Sequence, residues 1–247
     1  MDPDYYSKYY HFERKHWWFT IRSKIISETI AKWVSPKMQT AILNTGVATG
    51  GSSEWLQQFG TVISVENDPA ACRFIKEELK LDVTEASITR LPFTDNSFDM
   101  VCAFDVLEHV KEESAAYEEM KRVLKKEGAL VVTVPAFRFL WSRHDVVNHH
   151  IRRYTRSSLK EKLQEKGFVI VYASYFNSLL FIPIALYRML YSKFFGNRKL
   201  RSDFEIPLAK NRTLNKFFSM VFSAERHLLK RISFPAGISI ILVARKQ

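Results

Sequence analysis

Residues 42–51 read ILNTGVATGG, and residues 62–67 read VISVEN. The first stretch runs from apolar residues into a glycine-rich turn, after which Ser52 and Ser53 begin a predicted helix. The second stretch is an apolar run that ends in Glu66 and Asn67. Strand, turn, helix and strand in this order begin a doubly wound α/β sheet, in which ligands bind beyond the carboxyl ends of the strands. Residues 46–51 and Glu66 therefore mark a candidate ligand site.

Strands and helices continue to alternate on both sides of this region. Near-continuous apolar strands predict a parallel sheet that is covered by helices on both faces. We predict strands at residues 41–43, 62–65, 82–85, 98–104, 128–134, 167–174 and 238–245, and helices at residues 16–34, 69–79 and 112–125. One more helix is predicted to start near Asp105, directly after the strand that ends at Phe104. The pattern gives seven strands in total.

The composition fits one folded core with additions rather than a fibrous or disordered chain. Of the 247 residues, 47% are hydrophobic and 26% are charged, which is enough apolar surface for a packed core. Cys72 and Cys102 are the only cysteines in the sequence, and the N-terminal stretch has no apolar signal pattern. We therefore expect neither a disulfide-stapled secreted domain nor a cysteine metal cluster, and we predict a cytoplasmic protein.

The net charge of +11 is concentrated towards the C-terminal end. Residues 177–237 contain 11 Lys or Arg against 3 Asp or Glu, whereas residues 41–176 contain 17 against 19. We divide the chain into an N-terminal helical extension (residues 1–39), a core (residues 40–176 and 238–247) and a basic helical insertion (residues 177–237). Apolar residues at steps of three and four over 214–232, with basic residues between them, predict a basic amphipathic helix.

Three roles compete for the insertion: a lid over the ligand site, a membrane-surface attachment and a nucleic-acid contact. The lid is favoured because the connection between the last two strands emerges beside the site. The charge and the apolar face would also suit anionic lipid headgroups or a lipid-linked acceptor, which predicts a peripheral membrane contact as the alternative. Nucleic acid is not expected, because no RNA- or DNA-binding module is recognisable. The apolar run at 179–187 is too short to cross a bilayer.

The motifs in this order resemble those of class I S-adenosylmethionine-dependent methyltransferases. Residues 42–50 occupy the place of the family's glycine-rich cofactor motif, and residues 65–67 that of its ribose-binding acid. The sequence LPFTDNSFD at 91–99, followed by DVLEHV at 105–110, is similar to a strand and helix start of many small-molecule methyltransferases. The stretches ERKHWWFTIR at 13–22 and HHIRRYT at 149–155 are typical of a subgroup associated with surface-glycan or lipid biosynthesis.

This resemblance implies a Rossmann-like, mostly parallel sheet whose last two strands pair as an antiparallel hairpin. It also implies methyl transfer from S-adenosylmethionine. The cofactor-binding residues that it implies are Asn44, Gly46, Ala48, Gly50, Glu66, Asn67, Ser87, Ile88, Phe104 and Asp105. The family usually has Asp, Gly and Asp where this chain has Asn44, Ala48 and Ser87. These departures support a second hypothesis, a methyltransferase-like binding or scaffold protein that no longer uses the cofactor.

Acceptor chemistry is expected after the fifth predicted strand, where residues 141–154 form the densest polar cluster of the chain. Methyl transfer from a sulfonium needs alignment, and it needs a base where the acceptor loses a proton. Catalytic candidates are His109, His144, Asp145, His149 and His150, and substrate-binding candidates are Trp18, Trp141, Arg152, Arg153 and Tyr154. The expected acceptor is a hydroxyl of a small molecule, a saccharide or a lipid-linked molecule. The alternatives are a solvated loop at 141–154 and core packing of the aromatic residues 17–19.

Asp105, Glu108 and His109 form a second constellation. On a helix, positions i, i+3 and i+4 share a face, so the three side chains could meet at a divalent cation. We favour the simpler interpretation, in which Asp105 caps the helix and Glu108 and His109 line the cofactor end. No metal site is therefore predicted.

Overall fold

The computed structural model of this chain describes residues 3–195 and 212–247. A seven-stranded sheet in the order β3-β2-β1-β4-β5-β7-β6 forms its centre. The strands are β1 Thr40–Thr45, β2 Gly60–Glu66, β3 Val83–Glu85, β4 Phe98–Phe104, β5 Leu124–Pro135, β6 Phe168–Phe176 and β7 Ser239–Lys246. Neighbouring strands are parallel except at β7, which is antiparallel to both β5 and β6. The predicted fold class, with its final antiparallel hairpin, is confirmed.

Nine α-helices flank the sheet in the part of the chain that is described. They are α1 Pro3–Lys15, α2 Trp17–Trp33, α3 Gly51–Leu56, α4 Pro69–Glu78, α5 Glu113–Val123, α6 Arg143–Val147, α7 Arg156–Glu165, α8 Phe181–Phe195 and α9 Arg212–Leu229. The boundary between α1 and α2 falls at His16, which caps α2 because its ring accepts a hydrogen bond from the Trp18 N–H. Both N-terminal helices belong to the predicted extension, although only α2 was expected as a separate helix.

Alternating side chains of the central strands pack against helices on the two faces of the sheet. Ile42 of β1 packs with Ile26 of α2 and Phe222 of α9 on one face. Leu43, the next residue, packs on the other face in a cluster that includes Met120 of α5. Because successive side chains of a strand point to opposite faces, an unbroken apolar strand buries both of its sides. The sheet is therefore the middle layer of a three-layer core.

The carboxyl ends of β1, β2, β4 and β5 share one edge of the sheet, since these strands are parallel. Thr45, the last residue of β1, is opposite Val65 of β2 and Ala103 of β4. The chain leaves β1 at Gly46, whose φ is +65°. A Cβ at this position would lie 2.4 Å from Cγ2 of Val106, so both the backbone conformation and the close approach require glycine. The glycine turn therefore stands at the edge where the ligand site was predicted.

The helix predicted to start near Asp105 does not form. Asp105 has a φ of +57°, and its carboxylate accepts a hydrogen bond from Nη2 of Arg22 at 2.6 Å. Leu107–His109 form a single 3₁₀ turn, and the next α-helix begins only at Glu113. The left-handed backbone and the ion pair with Arg22 hold Asp105 in a loop, so the interpretation of Asp105 as a helix N-cap is wrong. Glu108 and His109 consequently share no helix face with Asp105.

The insertion between β6 and β7 contributes α8 and α9, and α9 confirms the predicted amphipathic helix. Its side chains Phe222 and Leu229 are buried, whereas Phe217 and Met220 are exposed. Residues 196–211, which carry part of the predicted basic charge, lie outside the described residues. Among the helices that are described, none is both long enough and apolar enough to span a membrane.

Glu225 of α9 holds the start of α8. The residue is fully buried, and its Oε2 accepts hydrogen bonds from the backbone N–H groups of Ser178 at 2.6 Å and Leu179 at 3.1 Å. Oε1 has no hydrogen-bond partner within the described ranges. Burial raises the pKa of Glu225 to about 7. The strength of the link between the two helices of the insertion therefore changes with the protonation of one carboxyl group, and the neutral form is the favoured one.

We expect Glu225→Gln to stabilise the protein above neutral pH. Because the pKa is raised in the folded state, the contribution of Glu225 to stability is fully present below the ordinary value of 4.5 and is lost as the pH rises through about 7. Gln keeps an oxygen for the two N–H groups and removes the charge, so the free energy of unfolding at pH 8 should rise by about 1–3 kcal/mol. Denaturant unfolding at pH 5 and pH 8 measures this, with the exposed Glu161→Gln as control. Equal pH dependence in the wild type and Glu225→Gln would contradict the prediction.

Candidate functional site

A cavity of about 830 Å³ opens at the carboxyl edge of the sheet. One end, which we call the glycine-turn end, is lined by Gly46, Ala48 and Glu66. The other, which we call the histidine end, is lined by His109, His144 and His150. The N-terminal helices and the insertion complete the walls. A ligand that occupied the cavity would therefore touch both predicted groups of site residues.

Glu66 organises the glycine-turn end. Its Oε2 accepts a hydrogen bond from the Ala48 N–H at 2.8 Å. Its Oε1 accepts hydrogen bonds from the N–H groups of Asn67 at 2.8 Å and Asp68 at 3.0 Å. These bonds tie the turn after β1 to the start of α4. A carboxylate has about four acceptor sites, so one remains on Oε2 for a ligand hydroxyl.

Helix α1 closes the glycine-turn end from the outside. The Tyr6 hydroxyl donates a hydrogen bond to Oδ2 of Asp68 at 2.5 Å, and Tyr6 is buried. Seven residues later, Oε2 of Glu13 accepts hydrogen bonds from the Thr49 hydroxyl and from the Gly51 N–H. Burial raises the pKa of Glu13, although these hydrogen bonds act in the opposite direction. The extension is therefore part of the cavity wall rather than a separate appendage.

Most of the predicted cofactor residues reach the cavity. Those that line it are Gly46, Ala48, Glu66, Asn67, Ser87, Ile88, Phe104 and Asp105. Asn44 is buried behind the wall, where its Nδ2 donates to the hydroxyls of Ser52 and Ser53, both at 2.9 Å. Gly50, also predicted, lies beside Leu79 in the interior. Asn44 therefore does not line the cavity itself but holds the hydroxyl of Ser52, which does.

The histidine end is built by the 3₁₀ turn Leu107–His109 and by residues 144–153. His109, His144, His150 and Arg153 line the cavity there, and Trp18 of α2 is a further lining residue. Burial lowers the pKa of His109 to about 4, and the neighbouring His150 acts in the same direction. Its imidazole is therefore neutral at physiological pH.

Asp145 supports this end from behind, without lining the cavity. It is completely buried; Oδ1 lies 2.8 Å from Nδ1 of His150 and accepts from Nε of Arg153 at 2.7 Å. Burial alone would raise the pKa of Asp145, but the hydrogen bonds from His150 and Arg153 hold it well below its usual value. Since the carboxylate stays ionised, Nδ1 of His150 must carry the proton in this contact. In the neutral ring, Nε2 is then the nitrogen with the lone pair.

The remaining acceptor candidates lie away from the cavity. His149 and Trp141 are exposed to solvent and do not line it. Arg152 forms an ion pair with Glu113 of α5, and Tyr154 is buried in the core. Only part of the predicted polar cluster therefore faces the site, because its residues alternate between cavity, core and solvent.

Glu108, His109 and His150 converge at the histidine end. One ligand atom from each side chain lies within 4.8 Å of the other two. Burial raises the pKa of Glu108 well above its usual value, and the neighbouring Asp105 adds to the effect. The metal constellation considered from the sequence placed Asp105 in this group, but the fold puts His150 there instead.

Several lining residues had no signal in the sequence that marked them as functional. They are Tyr6 and Tyr9 of α1, Asn148, and Leu180, Pro183, Tyr187 and Arg188 of the insertion. Glu13 of α1 belongs to the stretch 13–22 that the resemblance singled out, but it was not predicted as a site residue. The spacing of Tyr6, Tyr9 and Glu13 at steps of three and four would have placed them on one helix face. The insertion residues lie on α8 or just before it. Because α8 is apolar over most of its length, its sequence pattern does not indicate which face lines the cavity.

Comparison with known proteins connects this geometry to a family. Residues 43–132 match the family model described as a methyltransferase domain. The chain is 32% identical over 147 residues to an uncharacterised protein of Methanocaldococcus jannaschii, covering 60% of this chain and 61% of that protein. It is 27% identical over 161 residues to a Mycobacterium tuberculosis protein described as a probable S-adenosylmethionine-dependent methyltransferase, covering 64% and 57%. The chain thus matches about three fifths of the length of these curated relatives.

The fold is also similar to that of a solved structure with a bound ligand pair. This is phosphoethanolamine N-methyltransferase 2 of Haemonchus contortus, in complex with phosphomonomethylethanolamine and S-adenosylhomocysteine. The TM-score is 0.57 at 16% sequence identity, and the match covers 90% of this chain and 52% of that one. At this identity the similarity concerns the fold alone.

Proposed function

Because this chain belongs to the class I S-adenosylmethionine-dependent methyltransferase family, we propose that it transfers a methyl group from S-adenosylmethionine to a hydroxyl of a small-molecule, saccharide or lipid-linked acceptor. The observation that carries the proposal is a single cavity that joins the glycine-turn end to the histidine end. The glycine-turn end has a carboxylate, Glu66, for the hydroxyls of a ribose. The histidine end has imidazoles that can take a proton from a hydroxyl acceptor.

The glycine-turn end fits the cofactor. We assign the ribose to the free acceptor site on Glu66, and the adenine to the wall at Ser87 and Ile88, which combines a hydroxyl with an apolar surface. Glu13 and Arg22 line the cavity with opposite charges, and Nε of Arg22 is buried without a hydrogen-bond partner among the described residues. We assign these two side chains to the ammonium and the carboxylate of the cofactor's amino-acid part.

The histidine end fits a hydroxyl acceptor. Bound S-adenosylmethionine supplies a methyl group on a sulfonium, and its transfer to a hydroxyl yields a methyl ether, S-adenosylhomocysteine and one proton. We assign the role of proton acceptor to an imidazole of this end, where His109, His144 and His150 line the cavity. Trp18 and Arg153 position the acceptor. Alignment and exclusion of water by α1 and α8 supply the rest of the rate enhancement.

Labelled methyl transfer tests this function. The full chain is incubated with S-adenosylmethionine that carries an isotopic methyl group and with polar and lipid extracts in separate reactions. We expect label in a product whose fragmentation shows a methoxy group. Label on nitrogen or carbon would overturn the hydroxyl assignment and leave methyl transfer standing. Failure of folded protein to bind S-adenosylhomocysteine would instead favour the second candidate, a scaffold protein that no longer uses the cofactor.

We expect Ala48→Gly to strengthen cofactor binding. Ala48 lines the cavity with a φ of +49°, a conformation that costs an L-residue about 1–2 kcal/mol. Relief of this strain stabilises the fold, and removal of the methyl group lets the ligand approach the wall more closely, so S-adenosylhomocysteine should bind roughly threefold to tenfold more tightly by calorimetric titration. Lys80→Gly is a matched control, because Lys80 also has a positive φ of +54° and lies away from the cavity. Unchanged affinity in Ala48→Gly would show that the site is adapted to alanine.

A lipid-linked acceptor would place the protein at a membrane surface, and the insertion supports this. On α8, Ile182, Leu186 and Met189 are exposed at steps of four and three, while Tyr187 lines the cavity. This exposed stripe lies on the helix that forms a cavity wall, and the insertion that contains it is basic. We propose that the stripe rests on an anionic lipid surface beside the cavity.

Vesicle flotation tests the membrane contact. The chain should float with phosphatidylglycerol vesicles at low salt and remain unbound with phosphatidylcholine vesicles. The triple variant Ile182→Ser, Leu186→Ser, Met189→Ser should lose this binding. A matched triple variant at Ile63, Val169 and Val171, which are exposed on strands, should keep it. Equal flotation of the two variants would overturn the proposed membrane contact. The proposal of methyl transfer would not be affected.

A further inference from the structure

Glu108 is the one fully buried carboxylate at the histidine end, within the described residues, that has no partner for its charge. It is 0% exposed, and neither of its oxygens has a hydrogen-bond partner on another described residue. The two neighbouring carboxylates each have an arginine: Asp105 pairs with Arg22 at 2.6 Å, and Asp145 pairs with Arg153 at 2.7 Å. A buried and ionised carboxylate without a partner is costly, so this position favours either a proton or a cation.

Two imidazoles face the same point. The cavity is lined by Glu108, His109 and His150, whose ligand atoms lie within 4.8 Å of one another. Asp145 holds Nδ1 of His150 at 2.8 Å, which directs its Nε2 lone pair away from the carboxylate. Ligand histidines in metal sites are typically fixed in this way, by a carboxylate on the ring nitrogen that does not bind the ion.

We propose that Glu108, His109 and His150 bind a divalent transition-metal ion. Small side-chain rotations would bring the three atoms to about 2.1 Å from a common ion, and the cavity leaves its other positions open. Two imidazoles and one carboxylate suit zinc, cobalt, iron or manganese, whereas magnesium and calcium prefer oxygen ligands. The inference rests on the proposed function and deepens it, because the ion would lie where the acceptor hydroxyl binds and would favour loss of its proton. His144, the imidazole of this end that is not a ligand, would then receive the proton.

Calorimetric titration of the full chain tests the site. Protein stripped with a chelator is titrated with Co²⁺ and with Zn²⁺, and the visible absorption of bound Co²⁺ reports nitrogen and oxygen coordination. We expect one ion per chain with a dissociation constant in the micromolar range or tighter. Glu108→Gln and His150→Asn should each weaken binding at least about tenfold, and Asp145→Asn should weaken it about tenfold to a hundredfold through His150.

Control variants distinguish loss of the metal site from misfolding. They also distinguish it from failure of the proposed function. Glu108→Gln keeps the shape of the side chain and removes a buried, unpartnered charge, so this variant should fold at least as well as the wild type. The exposed His11→Asn and Glu161→Gln should leave ion binding unchanged; weakening in these two equal to that in the site variants would overturn the proposal. S-adenosylhomocysteine binding without any ion binding would overturn the metal site alone. Absence of both in folded protein would overturn the function and the metal site together.

Discussion

Glu66→Ala is expected to reduce the affinity for S-adenosylhomocysteine by about 100-fold or more. The carboxylate accepts N–H groups from Ala48, Asn67 and Asp68, so its removal takes away a ligand contact and also releases the glycine turn. Hydrogen bonds to a charged group contribute about 1.5–3 kcal/mol each, and each 1.4 kcal/mol is tenfold in affinity. Calorimetric titration of purified protein measures the loss. Glu66→Gln should lose affinity too, since its amide nitrogen cannot accept the N–H group that the replaced oxygen accepts.

The neighbouring strand offers a matched control for this variant. Glu85 ends β3 opposite Glu66 in the parallel register and is exposed. Glu85→Ala should therefore bind S-adenosylhomocysteine as the wild type does. Thermal unfolding of both variants, without ligand, separates a lost contact from a lost fold. Affinity of a folded Glu66→Ala within threefold of wild type would remove Glu66 from the cofactor site.

The largest effect on stability is expected from Asp145→Asn. Asn has the same shape but lacks the charge, so Arg153, whose side chain is 2% exposed, would be buried without its counter-ion. Breaking a buried ion pair in this way costs about 3–5 kcal/mol. Denaturant unfolding should show this loss at neutral pH. In Asp145→Asn with Arg153→Met, part of the loss should be recovered, because the uncompensated charge is removed.

The pH dependence gives this prediction a second test. Because the pKa of Asp145 is held below its usual value, its contribution to stability is present above about pH 4 and is lost as the pH falls towards the folded-state pKa. The unfolding curves of wild type and Asp145→Asn should therefore differ most above pH 5 and approach each other in acid. Asp95→Asn is the matched control, since Asp95 pairs with Arg122 at the surface and should change stability by less than about 1 kcal/mol. If the two variants lost a similar free energy of unfolding relative to the wild type, the assignment of Asp145 as a stabilising buried ion-pair partner would be contradicted.

The fold could be predicted from the sequence because its signals are local. The glycine turn, the acid at the end of the next strand and the unbroken apolar strands each depend on neighbouring residues only. The same holds for the glycine-turn end of the cavity, where the residues from Gly46 to Ala48 and Glu66 line the wall. These positions follow from strand order and from where each strand stops.

The histidine end depends on contacts between distant residues, and there the sequence predicts less. Asp105 leaves the expected helix in a conformation held by Arg22, which is 83 residues away. Arg152 and Arg153 are adjacent, yet one pairs with Glu113 and the other with Asp145. No periodic pattern in the sequence distinguishes these two arginines, because the ion-pair partner of each one is determined by tertiary packing. The contribution of α1 to the wall was missed for the same reason.

The position of the insertion bears on how such an enzyme could acquire new acceptors. Phe176 and Ser239 face each other in the β6–β7 ladder, so the chain leaves and re-enters the sheet at one point. The entropy of closing a connection grows slowly, by about 0.6 kcal/mol for each doubling of its length. The strand ladder therefore tolerates a change in the length of this connection at little cost, provided that the side chains of α9 that pack on the sheet, such as Phe222 and Leu229, are kept. Under the proposed function, acceptor selectivity can therefore change through the few residues of α8 that line the cavity, such as Tyr187 and Arg188, while the strands and the glycine turn stay as they are.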